Sequence, residues 1–206
     1  MAITTYAELQ TAVANWITRS DLTSRIPEFI TMVEGIANRE LDTRQMYTRT
    51  TATISAVTLA CPTDFDGVRS FRLDTSPPTP LIFVKADDFG DTREAAIEGT
   101  GQPRFYTITG TAFVFSPAPD SSYSAALTYR AKLPALTASN TTNWLLTAAP
   151  DIYLHGALAF GYQYIEEEVQ EAKFMANFLG GIAQMNARES RASYGSAPSR
   201  RVRGFV

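Results

Sequence analysis

The stretch from Asn143 to Tyr164, NWLLTAAPDIYLHGALAFGYQY, decides how the rest of the chain must fold. Pro150 suits the first turn of a helix, and Asp151 beside it favours the positive end of the helix dipole. The helix that follows has no wide polar face, and a helix that is apolar nearly all round is buried on most sides. Its apolar positions are Ile152, Leu154, Ala157, Leu158, Gly161 and Ile165. The sequence therefore predicts a central buried helix that the other segments cover.

Two amphipathic helices precede this segment at the start of the chain. Thr5 and Glu8 fit a capping box, and apolar residues at helical spacing predict a helix over residues 5–18. Pro27 suits the first turn of a second helix, which is expected to end near Arg44. Residues 1–46 are therefore predicted to form a helical hairpin.

From Tyr47 the period of the sequence changes to two, and β-branched residues replace helix formers. Residues 47–140 are predicted to be a β-rich insertion, with a short helix over 87–98. Three late strands are expected at 104–109, 111–116 and 123–133, separated by turns at Gly110 and at 117–120. Their spacing predicts an antiparallel meander with one buried face.

Beyond the central helix, Glu166–Glu168 indicate a kink or a new helix start, where acidic residues are favoured. An apolar stripe from Phe174 to Met185, interrupted by Gly180 and Gly181, extends the helical region of residues 141–190. No acidic residue follows Ser190. A segment so poor in apolar residues cannot offset its own ordering entropy, so residues 191–206 are predicted to be a basic arm that is disordered until a partner binds.

These segments together define an α+β fold class. The N- and C-terminal helices are expected to form a helical bundle, with the central antiparallel β-rich insertion as an appendage and a flexible C-terminal arm.

Charge, the length of the apolar runs and the cysteine content each exclude some classes of protein. The 206 residues carry a net charge of −3, which gives no overall basic surface for nucleic acid. The apolar runs are too short to span a membrane, and the first residues do not read as a signal peptide. A single cysteine, Cys61, excludes an internal disulfide framework and a multi-cysteine metal site, which points to a reducing cytoplasm.

Candidate catalytic residues lack the partners that their chemistry needs. His155 is the only histidine, and no motif nearby would orient it as a base, while Cys61 precedes acidic residues rather than an electropositive site. The acidic groups Asp87, Asp88, Asp91 and Glu166–Glu168 lack calcium-loop spacing and are expected to face water. Aromatic residues on the late strands are interpreted as core, since Lys and Arg for base stacking are missing. We expect no enzyme, no metal and no cofactor.

Three stretches of the chain are characteristic when taken together. The first runs from Thr5-Tyr6-Ala7-Glu8-Leu9 through Asn15-Trp16 to Pro27 and Phe29-Ile30. The second is Gly101-Gln102-Pro103-Arg104-Phe105-Tyr106. The third is Asn143-Trp144-Leu145-Leu146 with Pro150-Asp151-Ile152-Tyr153. The set resembles the head-to-tail adaptor (connector) proteins of tailed bacteriophages, particularly those with short tails, and the resemblance spans nearly the whole chain in order.

The resemblance implies a non-enzymatic virion protein at the neck between capsid and tail, assembled in the host cytoplasm. Such proteins form a homo-oligomeric ring, usually twelvefold, beneath the portal protein. The ring extends the channel for genomic DNA without sequence-specific binding and offers a surface to a tail or nozzle protein. Their C-terminal segment commonly docks on the portal. That assigns portal binding here to Arg191, Tyr194, Arg200, Arg201, Val202, Arg203 and Phe205.

Two other classes stay open at this point. Arg side chains suit bidentate recognition of phosphate, so the arm could make the chain a nucleic-acid-binding module whose affinity falls steeply with salt. An enzyme using Glu166–Glu168 or His155 would lose an activity, but not its fold, on alanine substitution there. A third interpretation of the arm is a solubilising end without a partner.

Overall fold

A computed structural model describes residues 2–89 and 99–193 of the chain. The chain divides into two compact units. The helical unit lies within Met1–Gln45 and Leu133–Val206, and the β unit is Met46–Lys132. The predicted fold class, helices at both ends around a central antiparallel sheet region, is confirmed. The β unit ends at Lys132 rather than at residue 140, because the backbone amides of Leu133 and Leu136 bond to the helical unit instead.

The described part of the helical unit, residues 2–45 and 133–193, contains five α-helices. They are α1 (Tyr6–Ile17), α2 (Ile26–Glu40), α3 (Trp144–Ala148), α4 (Pro150–Tyr164) and α5 (Glu168–Ser193). The predicted capping box at the start of α1 is present, with Thr5 and Glu8 each bonding to the other's backbone. Within the described residues, none of these helices is both long and apolar enough to cross a membrane.

Helix α4 is the centre of the helical unit, as the sequence predicts. Eight of its residues are buried, including Tyr153 in the middle of the core. Two glycines let the neighbouring helices come close. A Cβ on Gly156 would lie 2.6 Å from Val33 Cγ2 of α2, and one on Gly161 would lie 2.6 Å from Ile17 Cδ1 of α1. Glycine is therefore required at position 156, where the neighbour is the stiff valine, whereas the Cδ1 end of Ile17 could move away from a Cβ at position 161.

The chain breaks between α4 and α5 at the acidic run. Glu166 adopts a φ of 60°, in the left-handed region that L-residues seldom occupy, and α5 begins two residues later. The acidic run therefore marks a new helix start rather than a kink. Helix α5 continues through Gly180 and Gly181 without interruption and includes residues 190–193. Residues 191–193, which the sequence assigned to the arm, are thus helical.

The β unit contains two four-stranded sheets. The strands are β1 (Tyr47–Ile54), β2 (Thr58–Ala60), β3 (Phe65–Leu73), β4 (Thr79–Pro80), β5 (Ile82–Phe83), β6 (Phe105–Thr109), β7 (Ala112–Ser116) and β8 (Tyr123–Ala131). Sheet A has the order β1-β8-β3-β4 and sheet B the order β2-β7-β6-β5. All pairings are antiparallel except that of β5 with β6.

The predicted meander of the three late strands is wrong. Strands β6 and β7 form the expected hairpin at Gly110, but β8 leaves that sheet and pairs between β1 and β3. Strand β8 pairs with β1 along eight consecutive positions without a shift in register. The short strand β7, with five residues, offers β8 a shorter pairing. Strand alternation predicts the inward face of β8 correctly, since Ala125, Leu127 and Tyr129 are all in the core.

The core of the β unit is aromatic. Phe71 contacts Tyr106, Phe113 and Phe115 at ring-centroid distances of 5.2–5.8 Å in edge-to-face geometry. Such pairs add stabilisation beyond the apolar area that they bury. These rings fill the space between the two sheets and are not available for stacking on bases, which confirms their interpretation as core residues.

Candidate functional site

A groove of about 1000 Å³ lies in the helical unit beside the second half of α5. Its walls are the loop that follows α2, the junction of α3 with α4, and α5 itself. Small or apolar residues line much of it: Ala148, Ala149, Ile152, Gly181, Ala183, Met185 and Ala187. Five of these seven residues are alanine or glycine, so the backbone of a partner segment can approach closely there.

The side chain of Asn186 fixes the position of α5 along one wall of the groove. Its Nδ2 donates to the carbonyl oxygen of Glu40 at 2.7 Å, and its Oδ1 accepts from the amide of Asp42 at 2.9 Å. One amide group thus satisfies a carbonyl at the end of α2 and an amide just after it, where helices leave backbone groups without intrahelical partners. The bonds hold the loop of residues 41–45 against α5.

Gly181 sets the depth of the groove where α4 meets α5. A Cβ on Gly181 would lie 3.0 Å from Ile152 Cγ1, so the side chain of Ile152 would have to shift by a few tenths of an ångström. Gly180, next to it, has no atom within 4 Å of the corresponding position. Only the second glycine of the pair is therefore closely packed against α4.

The rim of the groove carries more positive than negative charge. Arg44 forms an ion pair with Glu189, with 3.5 Å between Nε and Oε1. Arg188 and Arg191 are exposed and form no ion pair within the described residues, while Asp151 is the other acidic lining residue. Arginine presents a planar fork of donors that matches carboxylates and phosphates. The groove therefore suits a segment with apolar side chains flanked by acidic groups.

Two buried oxygens at the groove have no hydrogen-bond donor in the part of the chain that is described. They are Oγ1 of Thr43, a residue that is only 2% exposed, and Oε1 of Glu189, which is held by the ion pair with Arg44 alone. Buried polar atoms are normally hydrogen-bonded, so within the described residues both oxygens are exceptions to the usual pattern.

Of the residues assigned to portal binding, the structure describes Arg191. It lies on the last turn of α5, exposed to solvent, and lines the groove. The remaining predicted residues, Tyr194, Arg200, Arg201, Val202, Arg203 and Phe205, and the predicted disorder of the arm lie outside the described residues. Arg191, two residues before the end of the described range, thus belongs to the groove.

The sequence did not single out Arg44, Asn186, Arg188 or Glu189. A signal was present, since Gln184, Arg188 and Arg191 follow a spacing of four and three residues and so share a face of α5. The apolar stripe is the more obvious pattern in the sequence of this helix, and the polar stripe is easily overlooked beside it. The contribution of the loop at residues 41–45 has no local sequence signal, because it depends on tertiary contact.

The other candidate residues, His155, Cys61 and Glu166–Glu168, do not line the groove. His155 lies 6.0 Å from the ring of Phe174, which also stacks on Tyr162 at 5.4 Å. Burial raises the pKa of the Cys61 thiol, which opposes formation of a reactive thiolate. The side chains of Glu166–Glu168 are exposed, and no three His, Cys, Asp or Glu residues in the described ranges are grouped as metal ligands.

We expect Asn186→Ala to loosen the wall of the groove. The change removes two hydrogen bonds that are each worth about 0.5–1.5 kcal/mol, so the free energy of unfolding of the helical unit should fall by about 1–2 kcal/mol. Both tryptophans, Trp16 and Trp144, belong to this unit, so urea unfolding followed by their fluorescence measures the effect. Asn177→Ala, an exposed position on the same helix, is the matched control and should change little. Equal stability of the two variants would contradict the role of Asn186.

The structure thus combines a helical unit that carries a groove with a β unit of two sheets. The family model of the SU10 adaptor proteins matches residues 4–203, and the chain therefore belongs to the SU10 adaptor protein family. It is a phage head-to-tail adaptor, a virion component of the neck. No protein with a curated description matches the chain.

Proposed function

We propose that this adaptor docks on the portal protein through its C-terminal arm together with the groove at the end of α5. The observation that carries the proposal is their continuity: Arg191 lines the groove and is three residues before the first residue of the arm outside the described range. A partner segment seated in the groove would contact Arg191 at the end of α5.

The chemistry of the groove supports a protein partner. Short apolar side chains in the groove allow close packing, and the exposed guanidinium groups of Arg188 and Arg191 offer charge-assisted hydrogen bonds to carboxylates. Water excluded from such a contact strengthens each of these interactions.

The proposal extends to the assembly that portal docking implies. Copies of the chain form a ring, which we expect to be twelvefold, beneath the portal. The ring lengthens the channel for genomic DNA and presents its far side to a tail or nozzle protein. The protein has no catalytic role in this scheme. It assembles in the host cytoplasm and then remains in the virion.

A net charge of −3 suits a protein that surrounds DNA. Tight, salt-sensitive contacts with phosphates would hold the genome during ejection, so a channel works better without them. We therefore expect weak binding of duplex DNA at physiological salt. Tight binding that depends on the arm would instead favour a nucleic-acid-binding module.

Electron microscopy of the protein mixed with its phage's portal tests the proposal. The full chain should form a ring on the portal, and deletion of residues 194–206 should abolish it. The double variant Arg188→Glu/Arg191→Glu should weaken docking at least about tenfold, since each charged hydrogen bond is worth about 1.5–3 kcal/mol. The double variant Arg72→Glu/Arg104→Glu makes the same charge change at exposed sites of the β unit and should dock normally. Undiminished docking of the groove variant would contradict this role of the groove.

A further inference from the structure

The two free edges of sheet B differ from those of sheet A in how they are protected. Strand β1 at one edge of sheet A carries the exposed Arg49, and β4 at the other edge contains Pro80. Charged residues and proline are the usual devices that prevent a sheet edge from pairing with another chain. The edge strands of sheet B, β2 (Thr58–Ala60) and β5 (Ile82–Phe83), themselves contain neither a charged residue nor a proline.

Strand β5 also exposes large apolar side chains. Ile82 is 55% exposed and Phe83 is 53% exposed, although they are neighbours in a strand. Adjacent side chains of a strand point to opposite faces, so both faces of this edge are apolar and accessible. An exposed apolar edge without charge is the typical feature of a strand that pairs with another strand. Among the described residues, no further strand bonds to β5 beyond β6.

The backbone groups at the two edges match each other. On β5, the amides of Ile82 and Val84 donate to β6, so the N–H and C=O of Phe83 face the free edge. On β2, Val57 accepts from Phe115 of β7 and Cys61 donates to Thr111, so the backbone groups of Thr58 and Ala60 face outward. In a parallel ladder, the N–H of a residue donates to the C=O of one residue on the partner strand. Its own C=O accepts from the N–H of the residue two positions further along that strand. Phe83 can therefore bridge Thr58 and Ala60.

The strand directions agree with this pairing. Strand β2 is antiparallel to β7, which is antiparallel to β6, and β5 is parallel to β6. The edge strands β2 and β5 thus run in the same direction. Two copies related by a rotation about an axis along the strands would bring β5 of one next to β2 of the other in parallel. A contact between two different surfaces of the same protein closes into a ring when the rotation allows it.

We propose that β5 of one copy pairs in parallel with β2 of the next, so that sheet B continues from subunit to subunit. The inference rests on the proposed ring and names one of the contacts that hold it together. Phe83 donates to Thr58 of the neighbour and accepts from its Ala60, and Ile82 lies beside Thr58. The pairing covers the exposed apolar side chains of β5 and uses backbone groups that have no partner within the described chain.

Cysteine cross-linking on the portal complex tests this contact. The native thiol is removed by Cys61→Ser, and Thr58→Cys and Ile82→Cys are introduced into separate preparations. The two preparations are mixed with portal and treated with a short bis-maleimide. A covalent dimer should form in the mixture and in neither preparation alone, and a chain with both cysteines should give a ladder of higher oligomers. The pair Thr51→Cys with Ile82→Cys places the first thiol at an exposed site of β1 and should stay at background.

The outcomes separate the contact from the function. Rings on the portal that give no cross-link above background would overturn the β2–β5 contact and leave the proposed function standing. Cross-linking of Ile82→Cys to itself would also overturn the contact, because it requires two β5 strands to meet. Absence of any ring with the unmodified chain would remove the proposed function, and this contact with it.

A second variant acts on the same edge without a chemical cross-linker. Phe83→Lys places a charge on the free edge, as natural edge strands do, while the amides that bond to β6 belong to residues 82 and 84. We expect folded subunits, judged by circular dichroism, that no longer close into rings under the electron microscope. Phe83→Leu keeps an apolar side chain and should form rings. Ring closure by the lysine variant would contradict the proposal.

Discussion

Replacement of Glu34 by alanine should lower the free energy of unfolding of the helical unit by about 2–4 kcal/mol, because it leaves two buried donors unpaired and a cavity behind. Glu34 lies on α2 and is only 5% exposed. Its Oε1 accepts from the amide of Leu136 at 2.8 Å and from the hydroxyl of Tyr153 at 3.1 Å. Asn143 in turn donates to the Tyr153 hydroxyl at 2.6 Å. One carboxyl thus joins α2, α4 and the segment that leads from the β unit into α3.

The pH dependence of this contribution follows from the carboxyl's surroundings. Desolvation by burial raises the pKa of Glu34 above its ordinary value, against the lowering effect of the bonds from Leu136 and Tyr153. The folded state therefore holds the proton more tightly than the unfolded state. The stabilisation is fully present below the unfolded pKa of about 4.5 and is lost as pH rises through the folded pKa.

Glu34→Gln separates the hydrogen bonds from the charge. The amide oxygen can still accept from Leu136 and Tyr153, but the side chain no longer ionises. We expect the free energy of unfolding of this variant to depend less on pH than that of the parent. Relative to the parent, the variant should therefore become more stable from pH 5 to pH 8. Urea unfolding by tryptophan fluorescence across this range measures both variants. A parent protein that becomes more stable than the glutamine variant as pH rises would contradict the raised pKa.

The substitution Gly156→Ala is expected to destabilise the helical unit by about 1–3 kcal/mol, although alanine favours helices. The added Cβ would lie 2.6 Å from Val33 Cγ2 and 3.1 Å from Phe178 Cδ2, so it meets stiff side chains on two neighbouring helices. Valine is restricted about its first side-chain torsion and cannot turn away freely. Helices α2 and α5 must then move apart from α4.

Gly180→Ala is the matched control, since it makes the same change in a helix of the same unit. No atom lies within 4 Å of the added Cβ there, so the gain in helix propensity of up to about 1 kcal/mol should remain. The two substitutions should therefore shift the urea midpoint in opposite directions. Equal shifts would mean that helix propensity, and not the contact of Gly156 with its neighbours, decides the effect.

Glu34 and Gly156 are also expected to affect docking. The Glu34 network and the close packing at Gly156 hold α2, α4 and α5 in one arrangement, and the walls of the groove are built from the ends of the same elements. A rigid groove lowers the entropy cost of ordering the protein on binding. Variants that loosen the helical unit should thus weaken portal docking even though they lie away from the rim.

The sequence by itself determined the elements and their faces. The capping box at Thr5, the proline at the start of α4 and the apolar pattern around it depend on interactions within a few residues, so local rules predicted them correctly. The α+β class and the family resemblance followed from the order of these segments. Alternation along β8 likewise identified the residues that face the core.

Only the tertiary structure decided which elements meet. Strand β8 pairs with β1, far back in the chain, instead of with its neighbour β7, because pairing partners are selected by the length and shape of whole strands rather than by adjacent residues. The groove has the same origin, since Asn186 contacts Glu40 and Asp42 across a long stretch of sequence. The sequence does not distinguish Gly156 and Gly181 from Gly180. Only the neighbouring side chains show which of these glycines is closely packed against another helix.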